Sequence, residues 1–90
     1  MIADGAIPVI PRGVRLSHDK VRSRWVLLAP ERILELDDIA QAVLTRCDGK
    51  RDIAGICNDL AKTYNADPSE IIADVKEMLA GLAAKHFVSL

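Results

Sequence analysis

Trp25-Val-Leu-Leu-Ala-Pro-Glu-Arg-Ile-Leu-Glu-Leu36 is the stretch that decides the fold of this chain. It reads as two strands bent around Pro30, the second leading straight into a helix. The first run, Trp25 to Leu28, is apolar on both faces, the pattern of a central strand covered on both sides. The second alternates: Leu34 and Leu36 face one way, Ile33 and Glu35 the other. Pro30 has no backbone N–H to give and suits the bend better than a ladder interior. A short alternating strand that runs into helices ends at a sheet edge with unused donors and acceptors. Such an edge is a place to dock an extended peptide.

Working outward, Val14 to Asp19 reads as a preceding strand and Lys20 to Ser23 as a charged turn. With Arg24 to Ala29 and Arg32 to Leu36 this makes an antiparallel meander of three strands. Residues 1–13, with Pro8 and Pro11, read as an extended and mobile N-terminal tail. Its apolar Ile7, Val9 and Ile10 imply that it packs on something, its own domain or a neighbouring copy. Residues 14–90 form a single domain, strands over about 14–36 and helices over about 38–85.

The remainder reads as three helices. Asp37 or Asp38 caps the first, whose apolar arc is Ile39, Ala40, Val43, Leu44 and Cys47, with Gly49 ending it. Asp52 caps the second, with Ile53, Ile56, Cys57, Leu60, Ala61 and Tyr64 on one arc, and Asn65-Ala66 breaks it. Asp67-Pro68-Ser69-Glu70 opens the third in capping-box spacing. Its stripe is Ile71, Ile72, Val75, Met78, Leu79 and Leu82. Strands followed by a helical cluster make an α+β domain.

The 90-residue chain carries a net charge of −1 and three aromatic residues, Trp25, Tyr64 and Phe87. Neither a base-stacking platform nor a global pull toward nucleic acid or anionic lipid follows from that. Residues 1–36 hold six Lys/Arg against four acids, and residues 37–90 six against nine, so the helical end is the acidic one. No signal peptide or membrane span is evident, and Cys47 and Cys57 lack metal-ligand or redox spacing. A cytoplasmic location with buried free thiols is expected.

Catalysis needs a constellation, and His18 and His86 stand far apart in the chain with no metal-binding or nucleophile-activating spacing. Asp37-Asp38 is explained as a cap. The chain is therefore expected not to be an enzyme and to need no cofactor or metal of its own. DNA binding is the weakest alternative, because the third helix presents Glu70, Asp74 and Glu77 where phosphates would require cations. Peptide recognition remains. The expected site is the third strand, Arg32, Ile33, Leu34, Glu35 and Leu36, which would pair with an extended peptide. A groove walled by Ile71, Val75 and Met78 of the third helix would take the peptide's apolar side chains, with Asp74 also among the peptide-binding residues.

Gly13-Val-Arg-Leu16, Asp19, Trp25-Val-Leu-Leu-Ala-Pro-Glu31, Asp48-Gly49 and Asp74-Val75 occur here in the order of a family signature. On these residues the chain resembles the PqqD family, over roughly residues 8 to 88. The Leu-Leu-Ala-Pro-Glu segment with the downstream Asp-Gly is specific. The resemblance implies a winged helix-turn-helix-like fold and a peptide chaperone in pyrroloquinoline quinone biosynthesis, a precursor-peptide recognition element. Its implied partners are the ribosomal precursor peptide PqqA and the radical S-adenosylmethionine enzyme PqqE, which links a Glu and a Tyr side chain within it. The iron–sulfur clusters and S-adenosylmethionine belong to that enzyme. The alternative is a module serving a different ribosomal peptide. Exchange of the N-terminal strands between two copies is a route to a homodimer. Lys85-His86 stands where related chains place Gly, which predicts a less regular C-terminal turn.

Overall fold

Three strands form one antiparallel sheet: β1 (Arg15–Asp19), β2 (Arg24–Ala29) and β3 (Arg32–Leu36), in the order β1-β2-β3. In this computed structural model, which describes residues 2–90, they are followed by α1 (Asp38–Leu44), α2 (Ile53–Tyr64) and α3 (Pro68–Ala84). The α+β meander-then-helices architecture is the one expected, and it is consistent with a winged helix-turn-helix-like fold. The register pairs Leu27 of β2 with Leu16 on one side and Leu34 on the other. These lie on the inner face, where Leu27 is fully buried and Leu16, Leu34 and Leu36 pack against the helical core. The core itself centres on Val43, Leu44, Ile53, Ile56 and Leu79.

One expectation about β2 is corrected. It is central in pairing, but only its inner face is covered. The outer face is a shallow depression lined by sheet and turn residues alone, among them Val26, Leu28, Ile33, Arg24 and Glu35. Val26 is nevertheless 6 % exposed, because its cross-strand partners Ser17 and Glu35 flank it on both sides. Apolar residues on both faces thus signalled shelter by neighbouring strands rather than a second layer.

Each helix begins at an aspartate. Asp37 accepts from the Ala40 N–H, Asp52 from the Gly55 N–H and Asp67 from the Ser69 N–H. These bonds satisfy donors that a helix start leaves unpaired. α1 stops at Leu44, short of Cys47 and Gly49, because Thr45 Oγ1 and the Arg46 guanidinium both donate to the Ala42 carbonyl. Gly49, at φ 78, instead sits in a turn where Asp48 Oδ1 accepts from the Lys50 and Arg51 N–H groups.

The end of α3 is also regular, contrary to expectation. Phe87 N–H donates to the Leu82 carbonyl and His86 N–H to that of Ala83, with His86 left-handed at φ 64. That is a Schellman closure with histidine in the place glycine favours.

Residues 2–10 lie against the chain's own helical body. The Asp4 and Ala6 carbonyls accept from the Ala54 and Ile53 N–H groups at the start of α2, and Asp4 pairs with Lys76 of α3. Pro8 is fully buried, and Val9 exchanges two backbone bonds of 2.8 Å with Ser89. Among the described residues no helix is long and apolar enough to cross a membrane.

Candidate functional site: an open strand edge beside an apolar groove

β3 pairs with β2 and, among the described residues, with nothing on its other side. The alternation places its residues as expected: Leu34 and Leu36 pack inward, while Ile33 is 70 % exposed and Glu35 lies on the outer face. Glu35 is held there by Arg24, 2.6 Å away, with Arg22 at 3.9 Å. Arg32 is committed to the fold. Its Nη1 donates to the Lys85 carbonyl, and its guanidinium stacks over Phe87.

The groove lies directly after the strand. It encloses about 510 Å³ between α1 and α3 over a floor from α2. Ile71, Asp74, Val75 and Met78 form the α3 wall. The opposing wall is α1, through Asp37, Ile39, Ala40 and Val43, rather than β3, whose inward side chains are spent on the core. Leu60 and Tyr64 complete the floor.

Ile39 and Tyr64 lie on the apolar arcs of their helices, yet they are 56 % and 51 % exposed. Both belong to the groove instead. A helical period marks the apolar side of a helix without saying whether another element covers it. The available signal was position: Ile39 sits in the first turn and Tyr64 in the last of its helix, where cover runs out.

The site is apolar in its walls and acidic at two points, Asp37 and Asp74. No group of three or more His, Cys, Asp and Glu side chains among the described residues is placed to hold a metal ion. What the arrangement offers is physical: backbone groups along β3 for an added strand, and an adjacent hollow for its side chains.

Comparison with known proteins bears on this geometry. The family model described as coenzyme PQQ synthesis protein D (PqqD) matches residues 24–88. The chain is 49 % identical to a PqqA binding protein of Rhodopseudomonas palustris strain TIE-1, over 98 % of this chain and 86 % of that one. It is 54 % identical, over 89 % of its length, to 22 % of a bifunctional coenzyme PQQ synthesis protein C/D of Methylorubrum extorquens. Its fold matches the solution NMR structure of the PqqD truncation of Methylobacterium extorquens PqqCD, described as a functional, stand-alone RiPP recognition element. That match has a TM-score of 0.88 at 48 % identity and covers 100 % of this chain and 96 % of the other. The crystal structure of PqqD from Xanthomonas campestris is similar at a TM-score of 0.63 and 47 % identity, with both chains fully covered.

Proposed function

The chain belongs to the PqqD family, and from that premise we propose that it is the peptide chaperone of a pyrroloquinoline quinone pathway. It binds the precursor peptide PqqA and presents it to the radical S-adenosylmethionine enzyme PqqE in the cytoplasm, without performing chemistry itself. The observation that carries this reading is the unpaired edge of β3 standing next to the α1–α3 groove. Relatives of nearly the same length are PqqA binding proteins.

In this reading a segment of PqqA adds as a fourth strand along Arg32–Leu36 and lowers apolar side chains toward Ile71, Val75 and Met78. Each new backbone bond contributes about 0.5–1.5 kcal/mol and each buried apolar side chain ~1.5–3 kcal/mol. Ordering the peptide costs ~2–5 kcal/mol or more, which leaves an affinity on the order of micromolar or tighter. Residues 14–90 act as the recognition domain. Exchange of the N-terminal strands between two copies would compete with the peptide, because such a dimer would partly occlude the third strand and its groove.

Titration with PqqA, followed by backbone amide shifts, tests the reading. Shifts are expected along β3 and on both groove walls. Shifts confined to the outer sheet face, or to the Asn58–Lys62 side of α2, would overturn it.

A further inference from the structure

We infer that the groove selects for charge as well as for apolar bulk: the PqqA segment it takes carries a Lys or Arg beside its apolar anchor, and Asp37 and Asp74 recognise that cation. This deepens the reading of the groove as the peptide site and rests on it.

The two charged residues that line the groove are both carboxylates, one on each wall. Four of the chain's carboxylates are already matched to cations: Asp4 to Lys76, Glu35 to Arg24 and Arg22, Asp59 to Arg46 and Arg51, Asp48 to Arg51. Among the described residues, neither Asp37 nor Asp74 has an ion-pair partner. Asp37 spends Oδ1 on the Ala40 N–H at 2.7 Å, which leaves its second oxygen available. Lys76, the cation nearest Asp74 in sequence, is drawn away to Asp4 of the N-terminal arm. Glu70 and Glu77, one turn to either side of Asp74, strengthen the same sign.

Both carboxylates are exposed at the mouth of the groove, so salt weakens their pull, while the concave shape gathers their field on what enters it. An acidic residue entering there is repelled, whereas a basic one finds two acceptors without displacing an internal partner. Because Asp37 follows Leu36 directly, the cation sits at the Leu36 end of the paired strand. That sets which end of the peptide segment lies at the groove.

The test measures binding of fluorescently labelled PqqA to the parent, Asp37→Asn and Asp74→Asn chains at low and high salt. Asparagine keeps the α1 cap and removes only the charge. Each substitution is expected to weaken binding about two- to fivefold at low salt, with the difference closing near 0.5 M salt. Replacing the peptide's Lys and Arg residues singly by Gln should identify one whose loss weakens the parent but not Asp74→Asn. Met78→Ala, checked by circular dichroism for an intact fold, should weaken binding at both salt concentrations. If Met78→Ala loses affinity while both Asn variants bind like the parent, charge selection is overturned and the groove reading stands. If Met78→Ala also binds like the parent, both fall.

Discussion

The Arg32 guanidinium lies 4.3 Å from the centroid of the Phe87 ring, and its Nη1 donates to the Lys85 carbonyl at 2.7 Å. The first residue of the edge strand is thereby fastened to the last turn of the chain. Arg32→Ala is expected to cost about 1–2 kcal/mol of stability, from the lost stacking and the lost hydrogen bond. Affinity for PqqA, measured well below the melting temperature, should change little. A large loss of affinity in a fully folded Arg32→Ala chain would show instead that the guanidinium meets the peptide.

The left-handed His86 invites a substitution in the opposite direction. Its φ of 64 is strained for a residue with a Cβ, and both closing bonds of the Schellman turn depend on it. His86→Gly is expected to stabilise the chain by about 0.5–1 kcal/mol, after allowing for the greater freedom glycine has when unfolded. Urea unfolding midpoints of the two chains decide it; an unchanged or lower midpoint would contradict the strain argument.

Ile33, largely exposed on β3, offers the cleanest break of the edge. Ile33→Pro removes one backbone donor without touching Leu34 or Leu36, which hold the strand to the core. A chain that still folds should bind PqqA at least about tenfold more weakly, given one lost donor and a fixed φ that disturbs its neighbours. A folded Ile33→Pro chain with parental affinity would rule out strand addition at β3.

Stability should fall at both ends of the pH scale, for opposite reasons. Burial, with the adjacent Asp48 carboxylate, pushes the Cys47 thiol up to about 11. Cys57 is raised too, by burial first and then by Asp4, against the pull of Lys76. The unfolded chain therefore releases thiol protons that the folded chain retains, and stability drops as pH rises from about 8.5 toward 11.

On the acid side the signs reverse. Asp48 is held low by the Lys50 and Arg51 N–H groups, Asp59 by its bond from Arg46, and Asp67 by the Ser69 N–H. Their stabilisation is present above the ordinary carboxylate value of about 4 and is lost as pH falls through the lowered ones. Thermal melts across pH check both limbs: Asp59→Asn should flatten the acid limb and Cys47→Ala the alkaline one.

Much of this architecture was legible in the sequence because its signals are local. β2 and β3 occupy the expected residues, and aspartates at 37, 52 and 67 start the helices as capping chemistry requires. What was not legible depends on partners distant in the chain. Val26 reads as covered by a layer that does not exist, since shelter from Ser17 and Glu35 follows only from the register. Ile39 and Tyr64 share apolar arcs with buried residues, and no pattern within a helix reveals that α1 and α3 stand apart above them. The early end of α1 was hidden for a similar reason: it turns on Arg46 and Thr45 folding back onto the Ala42 carbonyl.

The docking of residues 2–10 has a consequence for the order in which the chain assembles. The meander joins strands adjacent in sequence, and α2 and α3 are likewise neighbours, so their contacts close short loops. The Val9–Ser89 pair closes nearly the whole chain and carries the largest loop entropy, so it should form late. Val9→Pro, which deletes the donor to Ser89, is then expected to speed unfolding by roughly two- to tenfold while leaving the refolding rate nearly unchanged. Stopped-flow unfolding and refolding limbs separate the two. The arm, in these terms, is a latch that sets how long the folded state lasts rather than how fast it is reached.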